Sequence, residues 1–422
     1  MKKLIPFILI ALLTGFCGDK EGKEESLEQK NLAEEIYRAI PGQYLVFLPE
    51  QSVIQSAGQQ KGLPRKDYKK QTEKERNNGK EKVKALMRQH RIAIDTNRIF
   101  SDVAVGISVK MTEKQADLLR KDAKVLQDYE ILFRNPIHQD VFRARNPIHQ
   151  DMNITDESNG TTCAVAKAGG PKDGTGKRTV VWVVDTGIQF DHPDLVVESD
   201  PELAKSMIPW DTDANDYHGH GTHVAGIIGA KNDPDGMVGV SAGATVIPIK
   251  VFENSGRSTW TYLIEGLNHI AQYMNEGDVV NLSLGAYKNN ICNDSDFDEV
   301  KAILNRLATS KVFIVMAAGN DGKKAEDNMP GCLDGDNLFT VASVTCDNKC
   351  ETYSNYGQPP VDWVAVGTSV FSTYYNSTYR ILSGTSMATA IVSGVIHANG
   401  GPPVSGGTIR CKNKTYNYAK TN

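Results

Sequence analysis

Three shortages frame the 422-residue sequence. It has no surplus of either charge: 47 Lys and Arg stand against 51 Asp and Glu, interspersed, for a net charge of −4. That balance gives no electrostatic case for nucleic acid or an anionic membrane surface as a partner. It has no cysteine between Cys17 and Cys163, so the first third of the chain is not a disulfide framework. Its one extended apolar run, "LIPFILIALLTGF" beside the N-terminus, is too short to span a bilayer. The remainder, 23% charged and 40% apolar, is the composition of an ordinary globular chain with residues enough for a sizeable core.

"MKK" followed by that apolar run has the layout of an export signal, so residues 1–17 read as a signal peptide. Cys17 follows directly, and "LTGFC" resembles a bacterial lipobox with Phe16 where a small residue is usual. Two destinations therefore stay open, secretion and lipid anchoring to a bacterial membrane through Cys17. Residues 18–39, with "GDKEGKEESLEQK", read as a charged, solvated linker. The other six cysteines, Cys163, Cys292, Cys332, Cys346, Cys350 and Cys411, read as up to three disulfides in an exported chain. Cys346 and Cys350 enclose "DNK" in a turn, which makes a local bridge the simplest pairing. A zinc knuckle is the rival, but no second pair follows at the needed spacing.

Residues 40–134 alternate strand, helix, strands, helix and strand: "IPGQYLVFLP", a long charged helical stretch, "RIFSDVAVGISVKM", "TEKQADLLRKD" opening with Thr112 as a possible cap, and "KVLQDYEILF". That order is a small α+β domain. It holds no nucleophile–base pair. From about residue 160 short, wholly apolar strands such as "TVVWVVD" and "DVVNLSLG" alternate with helical patterns. This predicts an α/β unit, a mostly parallel sheet with helices on both faces, which binds ligands at the carboxyl ends of its strands.

Three such places carry chemistry. "TVVWVVDTGI" ends a buried strand at Asp185, "HGHGTHVAG" opens a helix, and "SGTSMATAIVSG" puts Ser386 where a turn meets a helix. A serine hydroxyl needs a base to take its proton, and the base needs an acid to fix its tautomer. Asp191 and Asp194 in "DHPDL" are rival acids, placed past the strand end. The cluster His218, His220 and His223 could instead suggest a metal, but it lacks the Glu of H-E-x-x-H.

The order Asp, His, Ser is that of subtilisin. Over about residues 150–400 the chain resembles the subtilisin-like serine proteases, the subtilase family, nearest its proteinase K-like branch. The resemblance implies a serine endopeptidase acting through an acyl-enzyme, with Asp185, His220 and Ser386 as its triad. By the same resemblance Asn320 of "AAGN" is an oxyanion donor. Ser283, Leu284 and Gly285, with Ser255, Gly256 and Arg257, bind the substrate backbone, and Ala317, Ala318 and Gly319 line the first pocket, with room for a large apolar residue. His223 becomes a packed helix residue and His218 a loop residue. The α+β unit becomes a ferredoxin-like inhibitory propeptide domain, 135–152 a processing linker and 153–422 the catalytic domain. No cofactor is required for catalysis and no metal site is read; structural calcium is possible, though no calcium loop is evident. The implied partners are protein or peptide substrates and the chain's own propeptide, for a monomer.

The chain departs from the family's pattern at Ala390, where proline is usual, and in a Tyr-, Lys- and Asn-rich tail that leaves the family's last helix unaccounted for. "RNPIHQD" occurs twice, at 134–140 and 145–151, with Pro136 and Pro147 holding both copies extended. Lying between the two units, this segment is the expected place of propeptide cleavage, between Arg134 and Asn153.

Overall fold

The computed structural model describes residues 38–49, 65–132, 137–142, 154–156, 160–234 and 236–422. The leader, most of the charged linker and the second "RNPIHQD" copy fall outside them. The N-terminal unit consists of β1 (Ala39–Phe47), α1 (Arg65–Gln71), α2 (Glu73–Gln89), β2 (Ile99–Ser101), β3 (Val105–Lys110), α3 (Glu113–Leu119) and β4 (Lys124–Leu132). Its strands are antiparallel in the order β4-β1-β3-β2. The charged stretch, which reads as one helix, is two, broken at Thr72. Thr112 starts α3 with a capping box: its hydroxyl accepts the Gln115 N–H, and the Gln115 side chain accepts the Thr112 N–H.

After β5 (Ile137–Phe142), the larger unit contains β6 (Val181–Asp185), α4 (His220–Gly229), β7 (Thr245–Lys250), β8 (Arg257–Thr259), α5 (Trp260–Tyr273), β9 (Val279–Leu282), α6 (Asp298–Thr309), β10 (Phe313–Ala317), β11 (Leu338–Val344), β12 (Val361–Val366), β13 (Val370–Tyr374), β14 (Thr378–Ser383), α7 (Thr385–Asn399), β15 (Val404–Cys411) and β16 (Lys414–Lys420). The main sheet runs β7-β6-β9-β10-β11-β12-β16-β15 and is parallel up to β16. This is the mostly parallel α/β sheet with helices on both faces that the sequence predicts. The tail forms no helix. It folds as the β15–β16 hairpin and extends the sheet edge beside β12.

Strand alternation sorts the core into two layers. Val181 and Val183 of β6 face α4 and α7, meeting Val224, Ile228, Ile391 and Val395. Trp182 and Val184 face α5 and α6, meeting Leu263, Leu267, Ile303 and Leu307. The sheet of the N-terminal unit divides in the same way. Tyr44, Val46 and Ile107 pack on Val83, Met87 and Leu119 of its own helices. Leu45, Phe47, Phe100, Val103, Leu126 and Ile131 join the layer formed by α5 and α6. Burying six such side chains is worth on the order of 10 kcal/mol, before the cost of ordering, at about 1.5–3 kcal/mol each. The larger unit also adds a fifth strand to the N-terminal sheet, because β8 pairs antiparallel with β4, Arg257 opposite Leu132 and Thr259 opposite Glu130.

The expected local Cys346–Cys350 bridge does not form. The disulfides are Cys163–Cys346, Cys292–Cys332 and Cys350–Cys411. Cys346 and Cys350 flank a turn closed by the Thr345 N–H on the Lys349 carbonyl, and each end of the turn meets a different neighbour. Cys346 reaches the short helix Cys163–Lys167, and Cys350 reaches the end of β15.

Candidate active site

The strand order reverses at β6, with β7 on one side and β9 on the other, which opens a crevice at their carboxyl ends. Asp185 ends β6 there, fully buried. Both its oxygens face His220 Nδ1, Oδ1 at 2.8 Å and Oδ2 at 2.9 Å, and Oδ1 also accepts the Thr186 N–H at 2.7 Å. Two donors on one carboxylate hold it against rotation, so the imidazole it faces has one orientation, with Nδ1 on the carboxylate. Beside Asp185, across the β6–β7 pairing, lies the buried Lys250. Its ammonium donates to the Thr186 carbonyl at 2.7 Å and to Asn254 Oδ1 at 2.9 Å.

His220 is the first residue of α4. The preceding Gly219 has φ +106°, and a Cβ there would fall 2.2 Å from the Tyr374 ring, so only glycine fits. Lacking a capping side chain at Gly219, the helix start is capped by Asp216. Its Oδ1 accepts the N–H groups of His218 and Gly219, both at 2.9 Å, and the Thr186 hydroxyl at 3.0 Å. Its Oδ2 accepts the Thr222 N–H at 3.0 Å and hydroxyl at 2.7 Å. A buried carboxylate at a helix N-terminus satisfies otherwise orphaned donors. Sequence reading missed Asp216, although the run Asp-x-x-Gly before a helix is a signal for it.

The three histidines do different things. His223 is buried and donates Nε2–H to the carbonyls of Val370 at 3.1 Å and Arg380 at 3.0 Å. His218 Nδ1 accepts the His220 N–H at 3.4 Å. Among the described residues no group of three His, Cys, Asp or Glu is placed to hold a metal ion. The rival acids are occupied elsewhere: Asp191 accepts from the Gln189 amide at 2.9 Å. Asp194 accepts from the Met237 N–H at 3.1 Å and the Tyr379 hydroxyl at 3.3 Å, and burial pushes its carboxyl up to about 7. Nearby His192 is pushed down to about 4, also by burial.

Ser386 is the second residue of α7. It is held by reciprocal bonds with Ser283, just past β9. The Ser283 hydroxyl donates to the Ser386 carbonyl at 2.9 Å, and the Ser386 hydroxyl donates to the Ser283 carbonyl at 3.1 Å. Asn320 turns its Oδ1 to the Thr385 N–H at 2.8 Å and hydroxyl at 2.9 Å. With its acceptor fixed this way, the Asn320 amide nitrogen is left as a donor. Thr385, inside the quoted "SGTSMA", was missed by the sequence reading; its adjacency to Ser386 was the available signal.

A cleft beside Ser386 is lined by Ser283, Leu284, Gly285, Ala317, Gly319, Asn320, Thr385 and Ser386, together with Leu132, Phe252, Asp321 and Asn328. Ala318 does not line it. It is fully buried, and its carbonyl accepts from Asn355, because strand alternation turns it away from Ala317 and Gly319. Ser255 and Gly256 form the turn before β8, and Ser255 donates to Glu253 at 3.1 Å. Arg257 pairs its backbone with Leu132 and its side chain with Glu130. On the other side β5, the first "RNPIHQD" copy onward, pairs antiparallel with β14, Ser383 opposite Ile137. Where β4 meets α5, Asp128 accepts the Thr261 hydroxyl at 2.5 Å, and burial pushes its carboxyl up to about 6.

Residues 176–397 match the family model described as Subtilase family. The chain is similar to an intracellular serine protease of Paenibacillus polymyxa, at 32% identity over 52% of this chain and 66% of that one. It is also similar to thermitase of Thermoactinomyces vulgaris, at 36% identity over 53% of this chain and 74% of that one. A solved cold-adapted subtilisin-like serine proteinase is 28% identical, with a TM-score of 0.46, over 56% of this chain and 84% of its own. The chain thus spans just under two thirds of the first of these relatives.

Proposed function

The chain belongs to the subtilase family, the subtilisin-like serine proteases, and from that premise we propose that it is a secreted endopeptidase made as a zymogen. The reading rests on one observation above all. A buried aspartate aims both oxygens at one nitrogen of a buried histidine; the same chain sets Ser386 in the first turn of α7, next to Thr385, whose N–H and hydroxyl fix the Asn320 amide.

In the proposed reaction His220 takes the proton of the Ser386 hydroxyl as its oxygen attacks the substrate carbonyl carbon. In the resting chain that hydroxyl points at the Ser283 carbonyl, so attack begins with a turn about the side-chain bond. The carbonyl π pair moves to oxygen, which takes hydrogen bonds from the Asn320 amide and the Ser386 N–H and sits at the positive end of α7. His220 then gives its proton to the leaving nitrogen as the C–N bond breaks, and water releases the acyl group by the same steps in reverse. Asp185 keeps the imidazole in the useful tautomer.

Labelling tests this directly: a fluorophosphonate should modify one residue, Ser386, with complete loss of hydrolysis, and a chelator should leave the rate unchanged. Chelator inhibition without labelling would indicate a metal-dependent hydrolase instead. Asn320→Leu should lower kcat about 10²–10³-fold with little change in KM, a magnitude that comes from subtilisin itself. A larger change in KM than in kcat would make Asn320 a ground-state contact.

The zymogen reading is supported by β4 lying on β8 as an extended substrate lies on an edge strand, with Leu132 entering the cleft. The N-terminal unit would then serve as folding assistant and inhibitor, which suits its apolar sheet face covered by α5 and α6. Cleavage between Arg134 and Asn153 follows, and Leu132 in the cleft favours the near end of that window.

A further inference from the structure

The amino ends of β6 and β9 lie at the opposite edge of the main sheet from the triad, and that edge holds a second built site. Asp278, just before β9, is fully buried. Its carboxylate accepts the Val180 N–H at 3.1 Å, the Trp182 indole N–H at 3.0 Å and the Asn275 N–H at 2.9 Å. It also takes a guanidinium in a fork from Arg65, the first residue of α1, with Nη2 on Oδ1 at 2.8 Å and Nη1 on Oδ2 at 2.5 Å. Nη1 donates again to the Tyr273 carbonyl at 3.1 Å, and Nη2 to the Arg178 carbonyl at 2.9 Å. The guanidinium carbon lies 5.7 Å from the centre of the Trp182 ring. At the rim Lys66 pairs with Asp200, and Lys69 pairs with Glu202 at 3.2 Å and donates to the Tyr273 hydroxyl at 2.6 Å.

The slot is shaped for arginine. It offers two carboxylate oxygens for a fork, a carbonyl on each flank and an aromatic wall, whereas a lysine would bring one point charge to all of them. Every acceptor belongs to the catalytic unit, and only the guanidinium comes from the N-terminal unit. No described side chain of helix α1 joins the core of its own unit, which is built from β1 to β4, α2 and α3. Its residues Arg65, Lys66 and Lys69 meet the catalytic unit's Asp278, Asp200 and Glu202, so positive charge faces negative across the contact.

We propose that the Asp278 slot is an arginine exosite: Arg65 fills it in the full chain as a second anchor for the N-terminal unit, and after that unit leaves it accepts the arginine of a basic segment of a protein substrate. The second half rests on the maturation proposed above, and the first half does not.

Hydrogen exchange on the full chain tests the slot without requiring maturation. Relative to wild type, R65A should lose protection at least ten-fold at residues 65–71 and 275–279, with β1 to β4 and α4 unchanged. Adding the peptide RKDYKKQ (residues 65–71) at millimolar concentration to R65A should restore protection at 275–279, and the same peptide with Gln for Arg should not. Unchanged protection in R65A, or restoration by both peptides or by neither, overturns the exosite. Maturation is read separately, as the mass of the processed chain, so its failure leaves the exchange result standing.

Discussion

Ser386→Ala should lower peptide hydrolysis about 10⁶-fold, the loss found in subtilisin when its nucleophile is removed. The change deletes the oxygen that attacks. The hydroxyl donates to the Ser283 carbonyl, and α7 is a run of small and apolar residues around it, so Ala fits and the circular dichroism spectrum should not change. The same variant should also stay a single chain of full mass, whereas the mature wild-type enzyme should begin between Arg134 and Asn153. A mature start before residue 130 or after 165, or processing of the purified variant, would refute self-cleavage. Turnover within a hundred-fold of wild type would remove Ser386 from the mechanism altogether. Adding His220→Ala to Ser386→Ala should cost nothing further, because nucleophile and base act as a unit.

Asp185→Asn should cost about 10⁴-fold in kcat with the fold intact, the scale measured when the same change is made in the equivalent triad of an unrelated fold. Both carboxylate oxygens face His220 Nδ1, so the carboxylate requires a proton on that nitrogen and leaves Nε2 basic. An amide in its place can present N–H to Nδ1 and move the proton to Nε2, the wrong atom for accepting from serine. The loss should therefore fall on kcat far more than on KM. An equal loss in Asp194→Asn would contradict this, because Asp194 faces Met237 and Tyr379 and makes no hydrogen bond to His220.

The parts legible in the sequence are those that a few neighbouring residues determine. Unbroken apolar runs such as "TVVWVVD" require burial on both faces, and so a covered parallel sheet. A glycine before His220 and a Gly-Thr turn before Ser386 mark where helices start, and thereby where the strand ends gather. The N-terminal unit was readable as α+β for the same reason, down to the cap at Thr112. The break at Thr72 was not, because charged residues on both sides of it favour helix equally well.

Other features depend on segments that meet only when the whole chain has packed. The bond Cys163–Cys346 joins residues 183 apart, and the two cysteines closest in sequence turned to different partners because the layers on each side of their turn differ. The tail, in which the family's last helix could not be found, becomes a hairpin because β12 offers it an edge to pair with. Asp185 outranks Asp194 as the partner of His220 because the ends of β6 and α4 converge, while the "DHPDL" turn carries Asp194 under Tyr379. Arg65 and Asp278, 213 residues apart, show the limit most plainly. Neither is marked for the other by its own stretch, since local sequence encodes backbone angles and the period of burial. Which charge lies opposite which is decided by how the two units dock, through the shared apolar layer of α5 and α6.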